Sequence, residues 1–450
     1  MIILAAAGLI ASIVGGIVSD GPTLWGLLPI VLYAVLCLLG MDIVVGTVLS
    51  VLSGILIAGL GPVAIGELLG DSLADSVTMI GLIIVLGAGV GEVLRITGVA
   101  TTIVHGVLRL TGEHNRAAVS IGVMLACLIL VGSLGTLAGA LAVAAPIVLP
   151  ITARLGYTRS ATAAMLFIGG CAGLALAPFA GSNVAIMTAA EVNYLTYLLH
   201  GALPIAVLSM ILGPFVVAFL QRRTTGSGDD YDLSELVAEG STPPRNAKAA
   251  TTVFVVVLLT AVVYATISSA TTSFPLVALP VLGIATGLAG RLSARQIAEA
   301  MYRGGAKLIS ILLLFWLLAA LFALIDQLEP FQVILDLVGD QLGSVSPFLV
   351  AVLVALLGWV GVPGATAAQV VLLDKVFGDL ASSVGVGSGA WVTVLLFASK
   401  ADTYGPFPNA NMVGAMGLAR SNSLRNMIIT GWLLLVPACL MYAVILLITT

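Results

Sequence analysis

Long apolar runs separated by short polar joints dominate the chain. Runs at Ile2–Val18, Leu24–Leu39, Ile43–Leu60, Val77–Val93, Thr162–Met187, Gly201–Leu220, Thr251–Ser268, Phe274–Leu288, Leu308–Ile325, Val392–Leu418 and Met427–Ile448 each suit a membrane-spanning helix of ~20 residues. Two further stretches, Ala117–Pro150 and Pro347–Phe377, are interrupted midway by Gly132-Ser133-Leu134-Gly135 and Gly358-Trp359-Val360-Gly361. At 1.5 Å per residue each leg is roughly 25 Å or less, short of a ~30 Å hydrocarbon core, which predicts re-entrant hairpins. The expected fold is an all-α polytopic membrane protein with about eleven transmembrane helices and two such hairpins.

Only Gln221–Lys248 is clearly polar, with Asp229-Asp230 and Pro243-Pro244, and it predicts a surface linker between nearly equal halves. Residues 1–220 then hold an extra first helix, a hairpin at 117–150 and a broken helix at 160–190. Residues 249–450 hold a hairpin at 347–377 and a broken helix at 388–418. Short motifs recur between the halves. Pro178-Phe179-x-x-x-Asn183 returns as Pro406-Phe407-x-x-x-Asn411, Gly132-x-x-Gly135 as Gly358-x-x-Gly361, and Ile65-x-Glu67 as Ile297-x-Glu299. Charge reverses between the copies. Glu67, Asp71 and Asp75 correspond to a stretch with Arg295, Arg303 and Lys307, and the basic loop Arg95–Arg116 to the acidic loop of Asp326, Glu329, Asp336 and Asp340. Two inverted-topology repeats with broken helices, the architecture of secondary transporters, would produce this reversal.

Composition narrows the classes further. The chain is 60% hydrophobic and 8% charged, against about 25% charged in soluble domains, so a separate soluble domain is not expected. The scattered basic residues form no nucleic-acid surface. With the linker in the cytoplasm and sides alternating at each span, nearly all arginines and lysines fall inside, which puts the N-terminus in the cytoplasm of a cell-membrane protein and the C-terminus outside. Met1–Val18 lacks a basic signal-peptide start and reads as a retained helix. Cys37, Cys127, Cys171 and Cys439 lie far apart in apolar runs and read as packing residues, and His105, His114 and His200 lie in or beside loops away from other ligands, so no metal is expected. No G-x-x-x-x-G-K-[ST] or catalytic constellation is present, so no enzyme or cofactor is expected, and energy must come from an H+ or Na+ gradient.

Candidate chemistry gathers where backbone is irregular at membrane depth, because such backbone must line protein or a watery cavity. The places are the hairpin tips, with Ser133, Thr136, Thr366 and Gln369, and two breaks, 177–183 with Ser182 and Asn183 and 403–411 with Asn409 and Asn411. Ser182-Asn183 and Asn409-Ala-Asn411 suit caps for the resumed helices, whose exposed N–H groups favour an anion. Close packing of small residues is the alternative reading. Ser399, Lys400, Asp402 and Thr403 are the only charged and polar cluster deep in a span. Intramembrane ionisable residues are functional candidates by default. Asp402, with Ser399 and Thr403, is the expected coupling-ion site and Lys400 the expected partner of an anionic substrate; a static Lys400–Asp402 pair is the alternative. Glu92 and Arg95 are expected to form an interfacial pair or a gate, and Asp42 a helix cap.

The order of spans, hairpins and breaks, with Leu86-Gly-Ala-Gly-Val-Gly-Glu92 early and the Pro-Phe breaks late in each half, resembles the ion transporter superfamily. The chain looks most like the gluconate permease (GntP) and citrate/proton symporter branch, and the sodium/proton antiporter branch is also similar. The resemblance implies a secondary carrier in the lipid bilayer, often a homodimer, that symports a small organic anion with H+ or Na+. Ser399, Lys400 and Asp402 lie where gluconate permeases carry a polar Ser-His and Asn-Asp cluster, with lysine in place of histidine. A sodium/proton antiporter and a passive channel are the alternatives.

Overall fold

The computed structural model describes residues 2–19, 21–112, 115–232, 244–268, 273–330, 333, 345–360 and 366–450, and among them every regular element is helical. The first half contains α1 (Ile2–Val18), α2 (Leu28–Leu38), α3 (Ile43–Ala58), α4 (Pro62–Asp71), α5 (Ser76–Ile96) and α6 (Val99–Thr111). It continues through α7 (Arg116–Leu134), α8 (Leu137–Arg154), α9 (Arg159–Leu176), α10 (Gly181–Ala189), the single turn α11 (Tyr194–Tyr197) and α12 (Leu203–Thr224). The second half contains α13 (Ala247–Ile267), α14 (Pro275–Ala289), α15 (Ala294–Ala306), α16 (Ile309–Leu328), α17 (Pro347–Leu357), α18 (Thr366–Ser383), α19 (Ser388–Thr403), α20 (Ala410–Leu418) and α21 (Leu424–Thr449).

Among the described residues, eight helices are long and apolar enough to cross a bilayer, counting Arg159–Ala189 and Tyr194–Thr224 as one each, and six more are shorter apolar helices. The protein is therefore a multi-pass membrane protein. Asp42 does cap α3, its Oδ1 accepting from the Val44 and Val45 N–H groups at 3.0 and 3.1 Å. The basic stretch read from sequence as a loop holds helix α6, so His105 sits within a helix, and the acidic stretch of Glu67 and Asp71 is helical too, as α4. In α6 the buried Thr101, Val104 and Leu108 recur at helical spacing, a stripe too narrow to register as an apolar run.

The arms of the first hairpin, α7 and α8, have 19 and 18 residues, about 28 and 27 Å. They exceed the 25 Å expected because α7 stays helical up to Leu134 at the tip and α8 continues past the apolar run to Arg154. The open end is tied by Arg116 Nε donating to Leu155 O at 2.6 Å and Tyr157 OH donating to Arg116 O at 2.6 Å. The tip of the second hairpin, 361–365, lies outside the described residues.

Matched lengths relate the halves. α8 and α18 each have 18 residues, and α10 and α20 each have nine; in both pairs the starts and ends are 229 residues apart. Packing is reciprocal. α3 lies on α16 while α14 lies on α5, and α10 lies on α18 while α20 lies on α8. At the centre is α9, with 15 of 18 residues buried, so this helix meets protein on every side. Its Gly169 and Gly173 allow the α7 backbone to approach: a Cβ at either would strike the carbonyl of Met124 or Leu128.

Candidate functional site

α9 stops before Pro178, which has no N–H to donate and disfavours helical backbone at Ala177, where φ is −68° and ψ 116°. The last carbonyls of a helix have no partner within it, and leaving one unsatisfied in an apolar interior costs ~1–3 kcal/mol. Here those of Leu174, Ala175 and Leu176 are met from outside the helix. The Asn183 side-chain amide reaches Leu174 O and Ala177 O at 2.8 Å and Ala175 O at 3.2 Å. Tyr197 OH donates to Ala175 O at 2.8 Å and Tyr194 OH to Leu176 O at 2.5 Å. Ser182 Oγ in turn donates to Asn183 Oδ1 at 3.2 Å. The sequence placed Ser182 and Asn183 as caps for α10, but the N-cap position is Ala180, which makes no side-chain cap, and Asn183 turns back to close α9. Sequence reasoning missed Tyr194 and Tyr197; their three-residue spacing beside a helix break was the available signal.

The second break is built differently. α19 runs to Thr403, residues 404–409 are non-helical, and Asn409 caps α20 with its Oδ1 accepting from Met412 N–H at 2.9 Å. Its amide nitrogen is 3.4 Å from Thr403 O. Ser399 Oγ donates to Leu396 O at 2.8 Å and Thr403 Oγ1 to Ser399 O at 3.0 Å. Each hydroxyl thus commits its hydrogen and keeps oxygen lone pairs for a ligand. Between them Lys400 is 4% exposed, with Nζ 5.9 Å from the Tyr404 ring centroid, and among the described residues no carboxylate is within ion-pair distance of it. Tyr404 OH shares a 2.5 Å hydrogen bond with Ser209 Oγ. Asp402 lies in the last turn of α19 and its side chain is outside the described residues. Positions 400 and 402 fall on different faces of that helix.

The hairpins close on these breaks. Gly135, at φ +68°, ends α7 and lies against the Ala180 backbone, where a Cβ would be 3.3 Å from Cα. Ser133 Oγ donates to Ile129 O at 2.7 Å, and Thr136 stands at the N-cap of α8 without a side-chain cap bond. In the second half Gly358 packs against Ala398 of α19, the Gln369 amide donates to Gly358 O, and Trp359 Nε1 donates to Phe397 O at 3.3 Å. Thr366 begins α18, and Asn411 is half-buried in the first turn of α20. The two broken helices also touch: α9 packs on α20 and α10 on α19, Phe167 meets Tyr404 edge-on at 6.3 Å, and Cys171 Sγ is 3.8 Å from Thr403 O. Ser399, Lys400, Thr403 and Asn409 therefore share one neighbourhood, whereas the bonds of Ser182 and Asn183 stay within the first break.

Glu92 and Arg95 pair at 2.6 Å, and the buried carboxylate also meets Lys307 at 3.4 Å and Arg303 at 3.8 Å, joining α5 to α15. The start of the linker forms a strap. Asp229 Oδ2 accepts from Ser160 N–H at 2.9 Å at the head of α9, and Tyr231 OH donates to Ala419 O at 2.9 Å beyond α20. Burial pushes the Tyr231 phenol up to about 12, which keeps it a donor.

The model of the Na+/H+ antiporter family matches residues 2–218. No curated protein matches the chain. Among solved structures, the YdaH transporter of Alcanivorax borkumensis is similar at 17% identity and TM-score 0.58, over 84% of this chain and 86% of that one. MtrF of Neisseria gonorrhoeae, one of a class of antimetabolite efflux pumps, aligns over 98% and 93% at 14% identity with a TM-score of 0.47, too distant to argue from. The chain thus has the fold of a membrane transporter, and its first half is similar to the Na+/H+ antiporter family.

Proposed function

We propose that the protein is a secondary active transporter that exchanges Na+ for H+, with the second break as its ion path. The observation that carries this reading is a buried lysine in a broken membrane helix, without a carboxylate partner among the described residues and two positions from Asp402. In this reading Asp402 binds Na+ or H+ in turn, and Ser399, Thr403 and Asn409 offer neutral oxygens to the cation. Lys400 supplies a fixed opposing charge, so that the site is electrically balanced when Na+ has left. Similarity of the first half to an antiporter family favours a bare cation over an organic solute. The basic residues support a cytoplasmic linker, with the C-terminus outside.

A second reading, symport of a small organic anion, is favoured by the same ammonium, which suits a carboxylate. Its site would add Ser133, Thr136, Ser182, Asn183, Thr366, Gln369 and Asn411. One experiment separates the two. Purified protein in proteoliposomes with an internal pH dye is given Na+ alone, then small carboxylates and sugar acids with and without Na+. Exchange predicts proton movement on Na+ alone; movement only when an organic anion is present would replace it with symport.

A further inference from the structure

A cavity of about 500 Å³ lies between α6 and the head of α13, far in sequence from either break. Thr102, His105, Gly106 and Arg109 line it from one face of α6, at the i, i+3, i+4, i+7 spacing of a helical stripe. Pro244, Arg245, Ala247 and Lys248 line it from the other side. The walls are held together by close packing: Gly98, at φ +74°, admits Pro244 and Ala247 against the start of α6. His105 Nδ1 donates to Thr101 O at 2.9 Å, which leaves Nε2 for the cavity. Arg109, Arg245 and Lys248 have no carboxylate partner among the described residues, in contrast to the arginines around Glu92. Three like charges gathered around one cavity repel one another unless an anion is present.

The surface below the cavity identifies the anion. Lys248, Thr252, Val255, Val256, Leu259 and Val263 are all exposed and follow one another at helical spacing down a single face of α13. From Lys248 to Val263 this stripe runs ~22 Å, more than one leaflet of a ~30 Å core. Only Ala247, Ala250 and Phe254 of α13 are buried, so the helix lies at the periphery, and Leu110 beside Arg109 is 89% exposed. Lys248 both lines the basic pocket and heads the apolar stripe, and that succession has the polarity of a phospholipid, headgroup above and acyl chain below.

We propose that this cavity binds the phosphate headgroup of an anionic phospholipid, with Arg109, Arg245 and Lys248 as its ligands and α13 as the bed of an acyl chain. The test is thermal unfolding of the delipidated, detergent-purified full chain with phosphatidylglycerol, phosphatidylcholine or free glycerol phosphate. Ligand binding to the folded state raises apparent stability by mass action. Phosphatidylglycerol is expected to raise the midpoint by several degrees and the other two by at most a third as much. In R109Q/R245Q/K248Q the shift should fall at least threefold, while the lipid-free midpoint and elution volume match wild type; R109Q alone, an exposed change, should lower it in the same direction. Equal shifts from phosphatidylcholine, or an unchanged shift in the triple variant, would overturn the site. An equal shift from glycerol phosphate would overturn the lipid and leave a soluble phosphate ester as the ligand. Ion exchange is not assumed in any arm.

Discussion

The two breaks begin from one pattern, Pro-Phe-x-x-x-Asn, and end in different states of satisfaction. The first has four non-helical residues, 177–180, and the second six, 404–409. That difference shifts the asparagine: Asn183 is the third residue of α10, whereas Asn411 is the second of α20, one helical step around the axis. Asn183 reaches back to Leu174 O and Ala175 O of α9 and to Ala177 O just beyond its end. Asn411 occupies another face, and Asn409 caps forward instead. The first break is thereby stitched by Asn183, Tyr194 and Tyr197, while the second keeps a buried lysine and hydroxyl oxygens with lone pairs to offer. A closed break suits a fulcrum and an open one suits a binding site.

The sharpest way to break this contrast is to exchange the effects of mutation. Lys400→Met should lower Na+-driven proton movement at least about 100-fold, equivalent to ~2.7 kcal/mol, yet leave thermal stability unchanged or raised, because an apolar side chain replaces a buried charge. Asn183→Ala should do the reverse: it uncovers carbonyls at the end of α9 and should cost about 2–4 kcal/mol, read as a lower unfolding midpoint, with transport per folded molecule reduced far less. Tyr194→Phe removes the one donor to Leu176 O among the described residues and should cost about 1–2 kcal/mol in the same assay. Asn409→Ala should cost about 1 kcal/mol as a lost N-cap, with Asn409→Asp restoring it. Tyr197→Phe should cost least, below about 1 kcal/mol, because Ala175 O keeps its bond from Asn183.

Much of this architecture was legible in the sequence because apolar runs and helix breakers act locally. Pro178 and Pro406 end regular helix through their own backbone chemistry, and Gly135 turns the first hairpin because it adopts positive φ without strain. The helices α4 and α6 were not legible as helices, since each buries only part of its surface and carries its charge on the rest. The stitching of the first break was hidden for another reason. Whether Asn183 points forward to cap α10 or back to close α9 depends on the length of the break, and Tyr194 and Tyr197 reach α9 across a chain reversal that no local pattern records. Lys400 stood out in sequence as an intramembrane charge, but its surroundings, the Tyr404 ring held by Ser209 of α12 and Cys171 of α9 against Thr403, come from separate elements and only the fold assembles them.

The most direct test of the second break as the ion path compares wild type, Asp402→Asn and Tyr194→Phe in proteoliposomes at matched amounts of folded protein. The quantity measured is the initial rate of proton movement after a pulse of Na+. The account predicts a rate near wild type for Tyr194→Phe, which disturbs only the first break, and background for Asp402→Asn. A wild-type rate in Asp402→Asn, with Tyr194→Phe silent, would contradict it and move the ion path to the first break.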